Sequence, residues 1–280
     1  MKRVSLLVAV LAAAAITTAV AFGAASTKAG GLPTIDVTMD GNSISVTGSL
    51  VSGAVNVHSV ATGISGTPIF IRLNDGVTAD QVIAFLQSKK ASDLNNIEPY
   101  GSIVFDAEEG PGTSDVQTIL QPGNYLAVDG TVNSPTKLPH TTFSIDENNS
   151  PASLPAANQW QKSVEYKFRG SRTFHVGQMI RASNAGWLVH MLIGFEVKSP
   201  AAGRKMMRLL RASGSKHGFD PTLLKAGDFS LFGPISHGAV QQSVLQDQPT
   251  GWYVEVCFVE TQDGREHARL GMERLIHIVP

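Results

Sequence analysis

The chain has 280 residues, with 22 Lys and Arg against 23 Asp and Glu, 42% hydrophobic residues and a single cysteine. A near-neutral balance of charge does not favour nucleic acid as a partner, because nucleic-acid binding needs a concentrated basic face. One cysteine also excludes an internal disulfide. The thiol is therefore buried and inert, paired between chains, or a metal ligand.

The N-terminus has the pattern of an export signal. Lys2 and Arg3 precede the apolar run Val4–Phe22, and small residues continue to Ala25. This pattern predicts a secretory signal peptide over residues 1–25, although an uncleaved run of this length could instead anchor the chain in a bilayer. No cysteine lies near the cleavage site, so we expect no lipoprotein anchor. We expect a secreted or periplasmic protein that has no contact with a membrane after cleavage.

The remaining chain repeats one pattern, in residues 32–147 and again in residues 161–280, with a Pro-, Ser- and Asn-rich linker over 148–160. Alternation of apolar and polar residues predicts two opening strands in each copy, followed by a more apolar strand. The opening strands are expected at 35–39 and 43–46 in the first copy and at 164–168 and 179–182 in the second. The apolar strands are expected at 68–73 and 189–197.

A helix follows the apolar strand in each copy. Thr78 and Gln81 have the spacing of a capping box, which predicts a helix that begins after Thr78. In the second copy Pro200 follows Ser199, and proline is favoured at the first helical position, so we expect a helix over 201–212. The fold class is therefore mostly β, with two tandem Greek-key β-sandwich domains that each carry one inserted α-helix.

The C-terminal part of the second copy gathers residue types that serve as metal ligands in proteins. Cys257 follows the strand-like segment that begins at Gly251, and His267 and Met272 follow within 15 residues. A thiolate, an imidazole and a thioether are three of the four ligands of a blue-copper site, and His190 on the apolar strand is the candidate for the fourth. The pair Asp263-Gly264 predicts a turn that returns His267 to Cys257.

These motifs resemble the cupredoxin family. They are Asn184-x-Gly186 before His190, Gly251-x-Tyr253 before Cys257, and His267 before Gly271-Met272. The resemblance implies one copper per chain in a type 1 site, with His190, Cys257, His267 and Met272 as ligands. It further implies electron transfer or copper handling, with a redox partner protein. The nine residues between Cys257 and His267 are more than small cupredoxins have, and larger relatives tolerate them.

The first copy lacks these ligands, since Thr67 aligns with His190 and Asp129 with Cys257. We therefore expect the first domain to be a cupredoxin-like sandwich without copper.

Enzymes that resemble this family need further histidines. Multicopper oxidases have His on both sides of the cysteine, and two-domain nitrite reductases have His directly before it, whereas Val256 and Phe258 flank Cys257. We therefore expect no enzymatic activity. The alternative function is that of a metal-free secreted β-sandwich that binds a partner and keeps its cysteine buried.

Overall fold

The computed structural model describes residues 31–107, 110–131, 138–246 and 248–280, so the predicted signal peptide, residues 1–25, lies outside the described residues. The chain forms two compact units. The first holds the described residues up to Ser92, Asn96–Pro155 and Ala239–Gln241, and the second holds Asp93–Asn95, Ala156–Gly238 and Gln242–Pro280. No helix in the described ranges has the length and hydropathy of a membrane span.

The first unit is a sandwich of two layers of strands. Its elements are β1 (Thr34–Met39), β2 (Ile44–Gly48), β3 (Gly53–Gly66), β4 (Pro68–Leu73), α1 (Ala79–Leu86), β5 (Gly101–Asp106), β6 (Gly110–Leu120), β7 (Gly123–Asp129) and β8 (His140–Ile145). One layer has the order β6-β3-β1-β2 and the other β5-β4-β7-β8. Buried side chains of both layers meet in one core, among them Ile35, Val55, Phe70 and Tyr125. Neighbours distant in sequence, such as β4 and β7, are typical of Greek-key connections.

The second unit has the same kind of architecture. Its elements are β9 (Gln159–Val164), β10 (Lys167–Gly170), β11 (Thr173–His175), β12 (Met179–Asn184), β13 (His190–Val197), α2 (Pro200–Gly218), β14 (Leu224–Ile235), β15 (Val240–Val244), β16 (Gly251–Val256) and β17 (Glu273–Val279). Strands in the order β10-β9-β12-β15 form one layer, and the other layer has the order β11-β17-β16-β13-β14. β9 begins at Gln159, so the last two residues of the predicted linker 148–160 belong to a strand. The mostly β fold of two sandwiches, each with one α-helix, is confirmed.

Helix α1 begins where the sequence predicts, and α2 begins at Pro200, one residue before its predicted start. The Thr78 N–H donates to Gln81 Oε1 at 2.8 Å, and the Gln81 N–H donates to Thr78 Oγ1 at 3.4 Å, which completes the capping box of α1. Ser199 caps α2 by accepting a hydrogen bond from the Ala202 N–H at 3.1 Å. α2 extends to Gly218, six residues beyond the predicted end, across a kink at Gly214.

The prediction of one strand over residues 164–168 is wrong. The segment 164–168 is not continuous, because β9 ends at Val164 and β10 begins at Lys167. These two residues pair in an antiparallel hairpin, so the chain reverses at Glu165 and Tyr166. Tyr166 adopts a positive φ of 54°, which tight hairpin turns usually assign to Gly or Asn. The sequence therefore gives no turn signal at this place.

Candidate metal centre

Cys257 lies directly after β16, a strand held on both sides by β13 and β17. Its side chain is fully buried, and its Sγ accepts a hydrogen bond from the Met191 N–H at 3.4 Å. Burial raises the pKa of the Cys257 thiol to about 12. Without a bound metal, the group is therefore an un-ionised thiol at neutral pH.

His190 is the first residue of β13 and is fully buried. The turn before it is fixed by Asn184, whose side-chain amide donates to the carbonyl oxygens of Leu188 and Ile235, both at 2.8 Å. A Cβ at Gly186 would lie only 2.7 Å from His190 Nε2, so the glycine leaves room for the ring. The Asn-x-Gly motif thus supports the position of the histidine. Burial lowers the pKa of His190 to about 4.

His267 returns to the same place through the loop after Cys257. The Gly264 N–H donates to the Thr261 carbonyl at 2.8 Å, with Gly264 at φ 74°, which confirms the predicted turn. The His267 N–H then donates to the Val259 carbonyl at 2.9 Å, and His267 begins a short 3₁₀ helix, His267–Leu270. Burial, together with the neighbouring His190 ring, lowers the pKa of His267 to about 3.

The three side chains form a compact triangle of ligand atoms. His190 Nδ1 lies 3.1 Å from His267 Nδ1, and Cys257 Sγ lies 3.4 Å from His267 Nδ1 and 4.0 Å from His190 Nδ1. Metal bonds of about 2.0 Å to nitrogen and about 2.3 Å to sulfur, at tetrahedral to trigonal angles, require edges of about 3.3–3.5 Å and about 3.5–3.7 Å. Each edge of the triangle lies within about 0.3 Å of these values, so the residues fit a single metal ion.

Two buried, neutral imidazoles beside a thiol are a costly arrangement. The Nε2 atoms of His190 and His267 are buried and have no hydrogen-bond partner among the described residues. Leaving such a group unsatisfied costs about 1–3 kcal/mol each. A metal bound at both Nδ1 atoms would leave these Nε2 atoms unpaired, so it is the triangle of ligand atoms that indicates the ion. Within the described ranges, His190, Cys257 and His267 form the only group of three or more His, Cys, Asp and Glu side chains that could hold a metal ion.

Met272 is fully buried and reaches the same place through its backbone. Its N–H donates to the His267 carbonyl at 3.0 Å, and its carbonyl accepts from the Cys257 N–H at 3.1 Å. The short helix ends at Gly271 with φ 99°, which turns the chain back towards Cys257. All four predicted ligands therefore lie in one part of the second unit. That Met272 is a ligand stays a prediction.

No protein-family model and no curated protein matches the chain. Among solved structures, dithionite-reduced auracyanin from Roseiflexus castenholzii is similar over 43% of this chain and 95% of its own, at 15% identity and a TM-score of 0.27. The copper-containing nitrite reductase from Thermus scotoductus SA-01 is similar over 88% of this chain and 67% of its own, at 11% identity and a TM-score of 0.26. The copper nitrite reductase from Nitrosomonas europaea covers 88% of this chain and 93% of its own, at 13% identity and a TM-score of 0.22. Similarity this low carries no argument about function, which depends on the chain's own side chains.

The chain resembles the cupredoxins. The resemblance lies in the order of its ligand motifs, in its paired layers of strands and in the buried His190, Cys257 and His267. At the corresponding end of the first unit, the residues that the structure describes form no such cluster. There the Thr67 N–H donates to Asp129 Oδ1 at 3.2 Å, at the start of β4 and the end of β7.

The structure adds a residue that the sequence did not indicate. The ring of Tyr166 lies edge-on against the His267 imidazole, with centroids 5.2 Å apart. The preceding Glu165 accepts a hydrogen bond from the Trp187 N–H, which links the β9–β10 turn to the loop before His190. The turn of β9 and β10 thus lies beside both imidazole-bearing segments. The sequence pattern predicts Tyr166 inside a continuous strand, so no sequence signal indicates this position.

Proposed function

We propose that the second unit binds one copper ion in a type 1 site formed by His190, Cys257, His267 and Met272. The observation that carries the proposal is the buried triangle of two Nδ1 atoms and one Sγ, with all three within 4.8 Å of one another. Two imidazoles, one thiolate and a weak thioether are the ligand set of blue-copper electron-transfer sites. Buried Met272 beside Cys257 supports copper over zinc, since zinc sites take nitrogen, thiolate sulfur and carboxylate ligands.

The bound copper would supply one-electron transfer between its two oxidation states. The residues of this chain contribute a fixed position for each ligand atom. His190 begins β13 and Cys257 directly follows β16, and these strands pair from Ile193 with Val256 to Val197 with Trp252. His267 is held by backbone hydrogen bonds of the 3₁₀ turn. Because none of these elements needs to move, the site suits an ion that changes its oxidation state but not its ligands.

We further propose that the protein is exported and exchanges electrons with a partner protein, or delivers copper. The signal-peptide pattern of residues 1–25 supports export. The exposed side chain of Trp187, 82% accessible, lies three residues from His190 and stacks on His237 with centroids 4.9 Å apart. We assign no catalytic reaction, because Val256 and Phe258 leave no further histidine beside the thiolate.

The test is a visible spectrum with metal quantitation after Cu(II) is added to the purified protein. We expect about one copper per chain and a strong thiolate charge-transfer band, and we expect Cys257→Ser to remove the band. His140→Ala is the matched control, because His140 is an exposed histidine of the first unit, and it should leave the band unchanged. A colourless wild-type protein that binds no copper would support the alternative of a metal-free sandwich that binds a partner.

A further inference from the structure

The last turn of helix α2 is tied to the residue that precedes His267. The Ser215 N–H donates to Glu266 Oε2 at 2.6 Å, and the Ser215 hydroxyl donates to the other oxygen of the same carboxylate. Both bonds involve a charged acceptor and are therefore among the stronger hydrogen bonds in proteins. Glu266 uses its side chain in this way although it is the N-cap of the 3₁₀ helix, where its carboxylate makes no capping bond. The carboxylate is directed to α2 instead.

Gly214 makes this contact possible. It interrupts α2 with φ 68° and ψ −173°, a backbone conformation that residues other than glycine rarely adopt. A Cβ at this position would lie 3.0 Å from Glu266 Oε2 and 3.2 Å from Arg269 Cδ. The kink therefore turns the Ser215 N–H and hydroxyl towards one carboxylate at a distance that leaves little room for a side chain at residue 214.

The same helix is tied to the residue that follows Met272. Arg211, one turn before Ser215, forms an ion pair with Glu273. The Glu273 side chain is fully buried, and its other oxygen, Oε2, has no hydrogen-bond partner among the described residues. Removing the guanidinium would leave a buried carboxylate with no counter-charge, so this contact fixes the start of β17.

The two ties enclose the ligand segment between them. Residues 266–273 begin at Glu266, end at Glu273 and contain both His267 and Met272. We propose that Ser215 and Arg211 are positioning residues, which hold this segment so that the ligands keep their places in either oxidation state of the metal. This inference rests on the proposed copper function. This positioning role of α2 is separate from the packing of its apolar face on the sheet at Gly203.

The experiment compares Ser215→Ala with Ser213→Ala, and Arg211→Gln with Arg208→Gln. Ser213 and Arg208 are exposed on the same helix, so these controls match the chemistry of each change. In the copper-loaded full-length protein we expect both test variants to shift the thiolate band and the reduction potential. We also expect copper transfer to a chelator to be about tenfold faster. This factor corresponds to the stabilisation that is lost when one charge-assisted hydrogen bond is removed. The controls should match the wild type.

A purely structural role would lower the melting temperature and leave the band, the potential and the transfer rate unchanged well below that temperature. That result would overturn the inference while the proposed copper function stands. Ser215→Thr keeps the hydroxyl and should restore the wild-type spectrum. If one test variant does not fold, the other decides the question. A wild-type protein that binds no copper would overturn the proposed function, and the positioning role would fall with it.

Discussion

The number of protons released on metal binding follows from the burial of the ligand side chains, which sets their pKa values. Without metal, burial keeps Cys257 un-ionised with a pKa of about 12, and keeps His190 and His267 neutral with pKa values of about 4 and about 3. Between about pH 5 and about pH 9 the site therefore holds one removable proton, on sulfur. A metal ligand must be deprotonated, so binding should release one proton from the thiol and none from the imidazoles.

The logarithm of the metal-binding constant should rise by one for each pH unit, which corresponds to 1.36 kcal/mol of binding free energy. Affinity should rise about 100-fold from pH 6 to pH 8. An exposed or unfolded site would behave differently, because imidazoles at their ordinary value of 6.5 would release further protons at pH 5.5. Below about pH 4 the metal affinity of the folded site should depend more steeply on pH, since His190 then begins to take up a proton.

The assay is calorimetric titration with Zn²⁺, which is redox-silent and binds nitrogen and sulfur ligands, in two buffers of different ionisation enthalpy. The difference in measured heat counts the protons. Cys257→Ser should release none, and His140→Ala in the first unit should match the wild type. Release of two or more protons at pH 6 would refute the idea that both imidazoles are buried and neutral. Release of none by the wild type would show that Cys257 is already ionised or is not a ligand.

Three further predictions follow from burial and ligand chemistry. His190→Ala should weaken copper binding and lose much of the thiolate band, because it opens one ligand position; added imidazole should restore part of the copper band, and an unchanged copper spectrum in the folded variant would exclude His190 as a ligand. Met272→Leu should keep copper and shift the reduction potential, because an axial thioether tunes the potential, and complete loss of copper from a folded variant would contradict this role. Burial raises the pKa of Asp106 well above its ordinary value of 3.8, so its contribution to stability is present below pH 3.8 and is lost as the pH rises towards the folded value. Asp106→Asn should therefore raise the urea midpoint at pH 7 and make little difference below pH 3.5; equal midpoints at pH 7 would contradict the shift.

Features that depend on local sequence were predictable. The helix start at Thr78 follows from a capping box, which needs only residues three positions apart. β4 matches its predicted bounds, Pro68–Leu73, because its apolar and β-branched residues specify a buried strand by themselves. The order of Cys257, His267 and Met272 along the chain identified the candidate ligands, and the Asp263-Gly264 turn explained how a long loop could return.

The reversal at Glu165 and Tyr166 could not be predicted. Alternation of apolar and polar residues is the same whether the strand continues or folds back, and Tyr166 carries none of the usual preference for positive φ. Tertiary packing decided the outcome, since Lys167 pairs with Val164 and the Tyr166 ring rests on His267.

By itself, the sequence determined which residues could bind a metal and that they would be carried on a β-sandwich. Only the tertiary structure decided that His190, 67 positions before Cys257, points its Nδ1 at the same space, 4.0 Å from the sulfur. It also decided that α2 reaches across to Glu266 and Glu273 on either side of the ligand segment. Local periodicity records how a residue sits on its own strand or helix. Contacts between residues far apart in the chain depend on how the strands are ordered and how the layers pack, and no local pattern encodes these.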